Sequence, residues 1–176
     1  EVGLERARTP AEYREVIGSM LEDVNRLSML ADTLLDLARA DSGARESRKE
    51  RLDLTRIVKD AVDVVAILAE EKHQSLTQGG VGAMVSVDPV LLRQALVNVL
   101  HNAVKFSPKG GAIRVRAVRE DESVVLDVAD SGPGVSQGQA AGLFDRFVRG
   151  GGEDGERSLS GAGLGLWIAR SAVEAH

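Results

Sequence analysis

Asn98, Asn102 and Lys105 follow one another at steps of four and three within the stretch from Leu92 to Pro108. On a helix that spacing stands two carboxamides and an ammonium group in one row. A carboxamide oxygen is a hard, neutral ligand suited to Mg2+, and a lysine is a mobile point charge suited to phosphate. The row has the chemistry of a Mg-nucleotide site, although a solvated helix face carries the same residue types without a ligand. The helix itself follows from the residues between. At roughly 100° per residue, Leu92, Leu96, Val99, Leu100, Ala103 and Val104 gather on one side as a buried face. Asp88-Pro89 supplies the N-cap and the first helical position.

Two glycine-rich stretches carry further chemistry. In Asp130-Ser131-Gly132-Pro133-Gly134 a carboxylate stands where a strand is expected to end. It would accept a hydrogen bond from an exocyclic amine while the glycines let a flat ring lie against backbone; a plain β-turn has the same composition. Gly161-Ala162-Gly163-Leu164-Gly165 runs straight into the helical stripe Leu166, Trp167, Ile168, Ala169 and Val173. A glycine turn into a helix N-terminus offers unpaired N–H groups to phosphate. A Rossmann unit is excluded, because Gly150 to Ser160 is polar and supplies no strand before the turn. Between the two stretches, Leu143 to Arg149 holds Phe144 and Phe147 as aromatic anchors and Arg146 and Arg149 as guanidinium groups. With the polar run that follows, it reads as a lid that brings an arginine over phosphates.

The elements that must position these groups are legible in outline. Thr9-Pro10 opens a helix, and Ile17, Met20, Val24, Leu27, Ala31, Leu34 and Ala38 form a heptad seam to about Asp41. Some 30 helical residues make a rod of roughly 45 Å, longer than a small domain is wide, so a bundle or dimer partner is expected. Asp41 to Arg51 has almost no apolar residue and reads as a hinge. After a strand end at Leu52 to Leu54, Thr55 to Glu71 is an amphipathic helix, with short strands at Gln74 to Leu76 and Ala83 to Val87 separated by Gly79-Gly80. Ala112 to Val118 and Ser123 to Val128 alternate as strands joined by the charged turn Arg119 to Glu122. The class is α+β: a sandwich of a mixed sheet with helices on one face, preceded by a long bundle helix.

Composition narrows the rest. The net charge of −5 comes without any basic block, so nucleic acid is not the partner. Zero Cys rules out disulfides and thiolate metal sites. No apolar run approaches the roughly 20 residues of a membrane span.

Four motifs in order, N-x-x-x-N-A-x-K at Asn98 to Lys105, D-x-G-x-G at Asp130 to Gly134, F-D-R-F at Phe144 to Phe147 and G-x-G-x-G at Gly161 to Gly165, resemble the N, G1, F and G2 boxes of sensor histidine kinases. The resemblance implies a Bergerat-type α/β sandwich that binds ATP and Mg2+. It implies that Asn102 holds Mg2+ with Asn98 in support, and that Lys105 contacts phosphate. Asp130 would read the adenine amine with Gly132 and Gly134 beside the ring, and Arg146 or Arg149 would approach the terminal phosphate. Gly161, Gly163, Leu164 and Gly165 would bound the lid and contact the nucleotide. Related ATPases carry a glutamate base at the position of Asn98, and a carboxamide has no basic lone pair, so phosphoryl transfer is favoured over hydrolysis. His101 shares a helix edge with Asn98 and reads either as a base in the transfer or as a surface histidine.

The resemblance also divides the chain. Residues 1–41 would be part of the dimerisation and histidine-phosphotransfer region, mainly its second helix; 42–51 the hinge; and 52–176 the catalytic domain without its C-terminal hairpin. The H-E-x-R-x-P box is missing, so the chain should not phosphorylate itself. The expected whole is an excerpt of a kinase whose membrane anchor lies elsewhere, placing this portion in the cytoplasm. Its partners would be ATP, a second copy joined through the 13–41 helix, and a response-regulator receiver domain. Two alternatives remain, a silent ATP-binding dimerisation scaffold and a hydrolysing ATPase of the wider superfamily.

Overall fold

The computed structural model describes residues 48–80, 82–121, 123–146, 148 and 163–176, together with Thr9, Tyr13, Val16 and Met20. The chain forms two compact units, one of residues 46–157 and 162–176, the other of 1–45 with 158–161. In the smaller unit the Tyr13 N–H donates to the Thr9 carbonyl at 3.0 Å, the first turn of a helix. The heptad seam apart from Met20, the polar run after Gly150, Phe147, Arg149 and Gly161 lie outside the described residues.

The larger unit runs β1 (Glu50–Asp53), α1 (Leu54–Glu71), β2 (Ser75–Gly80), β3 (Met84–Val87), α2 (Pro89–Phe106), β4 (Ala112–Glu120), β5 (Ser123–Asp130), α3 (Gln137–Ala140) and α4 (Gly165–Glu174). Glu50 and Arg51, at the end of the stretch read as a hinge, are paired in β1 opposite Val87 and Ser86 of β3. The main sheet is mixed: β2 runs parallel to β4, and β4 antiparallel to β5. Alternation along β4 decides its faces. Ile113, Val115 and Ala117 are buried while Arg114 and Arg116 face out.

Against that buried face pack α1, through Leu54, Ile57, Val58, Ala61, Val65 and Ala69, and α2, through Leu96, Leu100, Ala103 and Val104. Asp53 caps α1 by accepting from the Thr55 N–H at 3.0 Å, and a left-handed His73 (φ 52°) turns the chain from the helix into β2. Strand β2 extends further than its composition predicts. Gly79 and Gly80 lie within it, and a Cβ on Gly80 would stand 2.1 Å from the Ala117 carbonyl oxygen. The glycines read as a strand breaker instead permit close pairing with β4.

Candidate functional site

Helix α2 is the element on which the site is built. Asp88, only 4% exposed, accepts from the Val90 and Leu91 N–H groups through one oxygen and from the Arg48 N–H through the other. Two faces of α2 are covered. Leu96, Leu100, Ala103 and Val104 enter the main core, while Ala95 meets Ala169 and Ala172 of α4, flanked by Leu91 and Val99. Small residues on both helices let α2 and α4 approach closely. Asn98, His101, Asn102 and Lys105 are left half-buried between the covered faces. Burial, and then the charge of Lys105, hold His101 below the ordinary histidine value, which favours the neutral ring. The Lys105 ammonium lies 4.8 Å from the centre of the Phe106 ring.

The Asp130 turn is seated on the C-terminal end of this helix. The Ser131 N–H donates to Ser107 Oγ at 3.3 Å, and a Cβ on Gly132 would come within 3.3 Å of the Phe106 carbonyl oxygen. Asp130 closes the turn by accepting from the Gly132 N–H at 2.6 Å. That same imagined Cβ would stand 2.6 Å from the accepting carboxylate oxygen, so any larger residue would push the carboxylate out of this position. Gly134 is in the left-handed region at φ 73°.

At the other end of the row, Gly163 (φ 69°) and the buried Leu164 lead into α4, whose first residue is Gly165. Gly165 lies against Asn98: an added Cβ would be 3.7 Å from Asn98 Oδ1. The Nδ2 of Asn98 is buried there with no hydrogen-bond partner among the described residues. The N-cap of α4, Leu164, makes no side-chain capping hydrogen bond to the first turn. The structure thus brings Asn98 to Gly165, and the Asp130 turn to the end of the helix that bears Asn102 and Lys105.

Arg146 is placed elsewhere. Its guanidinium lies 4.2 Å from the centre of the Trp167 ring, in a cleft of about 290 Å3 lined by Phe144, Asp145, Arg146, Trp167, Arg170, Ser171 and Glu174. None of those residues comes from the α2 row. An indole face is the strongest aromatic seat for a guanidinium, and Trp167 lies next to Leu166 and Ile168, where the stripe had been read only as packing.

Sequence reasoning missed four polar residues that hold this assembly. Lys72 donates to the carbonyls of Val104 and Lys105, each at 2.8 Å, and of Ser107 at 3.2 Å. Gln74 donates to those of Val104 and Ser107 at 3.0 and 2.9 Å. Ser107 Oγ receives the Asp130 turn. His176 accepts from the Asp88 N–H through Nε2 at 2.8 Å and meets the Ala172 carbonyl through Nδ1. A Lys or Gln following a predicted helix signals capping only when its target is known, and here the targets lie 30 or more residues away.

Residues 87–176, just over half of the chain, match the family described as Histidine kinase-, DNA gyrase B-, and HSP90-like ATPase. The chain belongs to that family. Sensor histidine kinase CusS of Escherichia coli O157:H7 is 35% identical to it over 176 residues, all of this chain and 36% of CusS. The chain therefore spans about a third of the length of such curated relatives. Among solved structures, full-length ShkA in complex with AMPPNP superposes with a TM-score of 0.76 at 29% identity, covering 98% of this chain and 36% of ShkA. The histidine kinase AdeS of Acinetobacter baumannii gives 0.75 at 18% identity over 99% of this chain and 78% of AdeS. The fold is the Bergerat sandwich of histidine kinase catalytic domains, and the family reading is that of an ATP-binding catalytic domain. Among the described residues no helix is long and apolar enough to cross a membrane.

Proposed function

We propose that this chain is the catalytic region of a two-component sensor histidine kinase, moving the γ-phosphoryl group of ATP to a histidine on a first dimerisation helix. From there the group would pass to an aspartate of a response-regulator receiver domain. One observation carries the reading: α2 presents the carboxamide row, receives the Asp130 turn at its C-terminal end and touches the glycine corner through Asn98. The relatives named sensor histidine kinases and the AMPPNP complex of the similar ShkA support a nucleotide as the ligand.

The residues fit the ligand. The orphaned Nδ2 of Asn98, buried beside the start of α4, is a donor in want of an acceptor, and a phosphate oxygen is one. Asn102 would hold Mg2+, which takes one or two protein oxygens and completes its shell with phosphate and water. That ion, when bound, supplies neutralising charge on the phosphates. Lys105 would add a point charge, and the N–H groups from Gly163 to Gly165 would donate to phosphate oxygens at the head of α4. Asp130 would receive the adenine amine, with Gly132 and Gly134 leaving room for the ring. Arg149, Gly161 and the lid would close over the phosphates. Arg146 would join by leaving Trp167, a seat of about 0.5–1 kcal/mol at an exposed site.

Transfer is favoured over hydrolysis because the Asn98 carboxamide cannot take a proton from water. The acceptor imidazole nitrogen forms the new bond to phosphorus as the bond to the β–γ bridging oxygen breaks, leaving ADP. Neutral His101 stands on the same helix edge as Asn98, available as a proton acceptor. Residues 1–41 would contribute to a homodimer through the 13–41 helix, with a hinge from residue 42 that ends before β1 and the catalytic domain from Glu50 onward. This portion would lie in the cytoplasm.

The test is calorimetry of Mg-ATP binding, with a hairpin peptide bearing an acceptor histidine supplied in a second assay. Asn102→Ala is expected to lose the Mg-dependent part of the affinity, and Asp130→Ala the preference for adenine over guanine. ATP binding without phosphohistidine on the peptide would leave only a scaffold. Steady phosphate release that collapses in Asn98→Ala would make the chain a hydrolase.

A further inference from the structure

Helix α2 ends in an unusual way for an element that bears a site. Its C-cap, Ser107, is extended (φ −69°, ψ 141°) and leads directly into Pro108, so no left-handed residue satisfies the last carbonyls. Lys72 and Gln74 satisfy them from across the fold, converging on the carbonyls of Val104 and Ser107. An ammonium at a helix C-terminus also meets the negative end of the helix dipole. The amide of Gln74 is buried and its Oε1 has no partner among the described residues, so its orientation is set by the carbonyls alone.

These anchors immobilise one side chain that faces the nucleotide-reading turn. Ser107 is 2% exposed, and its hydroxyl accepts from the Ser131 N–H at 3.3 Å. Ser131 is the residue between Asp130 and Gly132. Its own hydroxyl accepts from the Ala112 N–H at 3.0 Å and donates to the Ala112 carbonyl at 3.1 Å. The turn is therefore clamped from both sides, by the end of α2 and by the start of β4.

Resting on the function proposed above, we infer that Ser107 is a positioning residue for base recognition, fixing the Asp130 carboxylate relative to the α2 row, with Lys72 and Gln74 as its anchors. The bond from Ser107 belongs to the turn alone; Asn98 and Asn102 lie more than a helical turn away. Loss of the hydroxyl acts on recognition of the base and leaves recognition of the phosphates intact. Ser107 lies outside the four motifs and acts through the Ser131 N–H.

The experiment is calorimetry on the 176-residue chain with Mg-ATP, Mg-GTP and Mg-tripolyphosphate, with thermal melts to confirm folding. Ser107→Ala is expected to weaken ATP roughly three- to tenfold, the effect of one modest hydrogen bond. The ATP-to-GTP preference falls with it, tripolyphosphate affinity is unchanged, and Ser107→Thr, which keeps a hydroxyl, restores the preference. Lys72→Met, which keeps the aliphatic stem, shows the same pattern more weakly. The inference is overturned if Ser107→Ala leaves the ATP-to-GTP ratio unchanged, or if it weakens all three ligands together. A wild-type chain that takes up no Mg-ATP overturns the proposed function and this inference at once; wild-type binding with an unaltered ratio in the variant overturns this inference alone.

Discussion

Gly132→Ala isolates the orientation of the Asp130 carboxylate. A Cβ at this position would lie 2.6 Å from Asp130 Oδ1, a distance that real side chains do not adopt, and 3.3 Å from the Phe106 carbonyl oxygen. The second contact is with backbone at the end of α2, where Lys72 and Gln74 restrain movement. The carboxylate must therefore swing away, and in doing so it releases the Gly132 N–H that it accepts at 2.6 Å. A hydrogen bond to a charged group contributes about 1.5–3 kcal/mol. Asp130 is exposed, so the lower end applies, and about 1.5 kcal/mol corresponds to roughly a tenfold change in Kd. Calorimetry with Mg-ATP and Mg-GTP reads the effect: ATP affinity is expected to fall about tenfold while GTP affinity changes little, with a thermal melt confirming that the variant is folded. ATP binding within about twofold of wild type, with its preference over GTP intact, would show that the turn-locked orientation of this carboxylate does not read the base.

Asp88→Ala removes the cap of α2 and strands the Arg48 N–H, so the unfolding free energy from urea titration should drop by about 2 kcal/mol; a change below about 0.5 kcal/mol would contradict the capping role. Hydrogen bonds from Thr55, backbone first and then side chain, hold the Asp53 carboxyl below the usual aspartate range. Its stabilisation is present at neutral pH and lost as pH falls through the folded-state value, so wild type and Asp53→Ala should converge in strong acid. His101 is held below the ordinary histidine value of 6.5. Its contribution is complete above that pH and declines as pH falls toward the folded-state value, so His101→Gln should flatten the loss of stability on the acid side of neutrality. Gly165→Ala would bring its Cβ to 3.7–3.8 Å from Asn98, ordinary contact. The variant should fold and melt no lower than wild type, and a clear fall in its melting temperature would mean that Asn98 has no room to adjust.

Much of the fold was legible because it rests on local rules. The stripe on α2, the Asp88-Pro89 start and the alternation of β4 are relations between residues a few positions apart, and the structure realises each of them, while Arg119 and Glu120, read as part of the turn into β5, are paired within β4. The Asp130 turn was legible for the same reason, since carboxylate, glycine and turn lie within a few residues. The parallel pairing of β2 with β4 was not, because it joins Ser75–Gly80 to Ala112–Ala117 across an intervening helix, and the glycines that permit it look locally like an interruption. Nor was the seat of Arg146, whose guanidinium lies over an indole some 20 residues further along the chain; a guanidinium suits phosphate and indole alike, and its residue type does not choose between them.

The sequence by itself marked residues whose chemistry suits a nucleotide and, for Asn98, Asn102, Lys105, Asp130 and Gly165, the helix, strand end or turn that carries them. Only the tertiary structure decided that Asn98 meets Gly165, that the Asp130 turn rests on Ser107, and that Lys72 and Gln74 hold the end of α2. The reason is physical: periodicity and capping act between neighbours along the chain, whereas a single lysine, glutamine or serine acquires a role only when burial brings a carbonyl or an N–H to it.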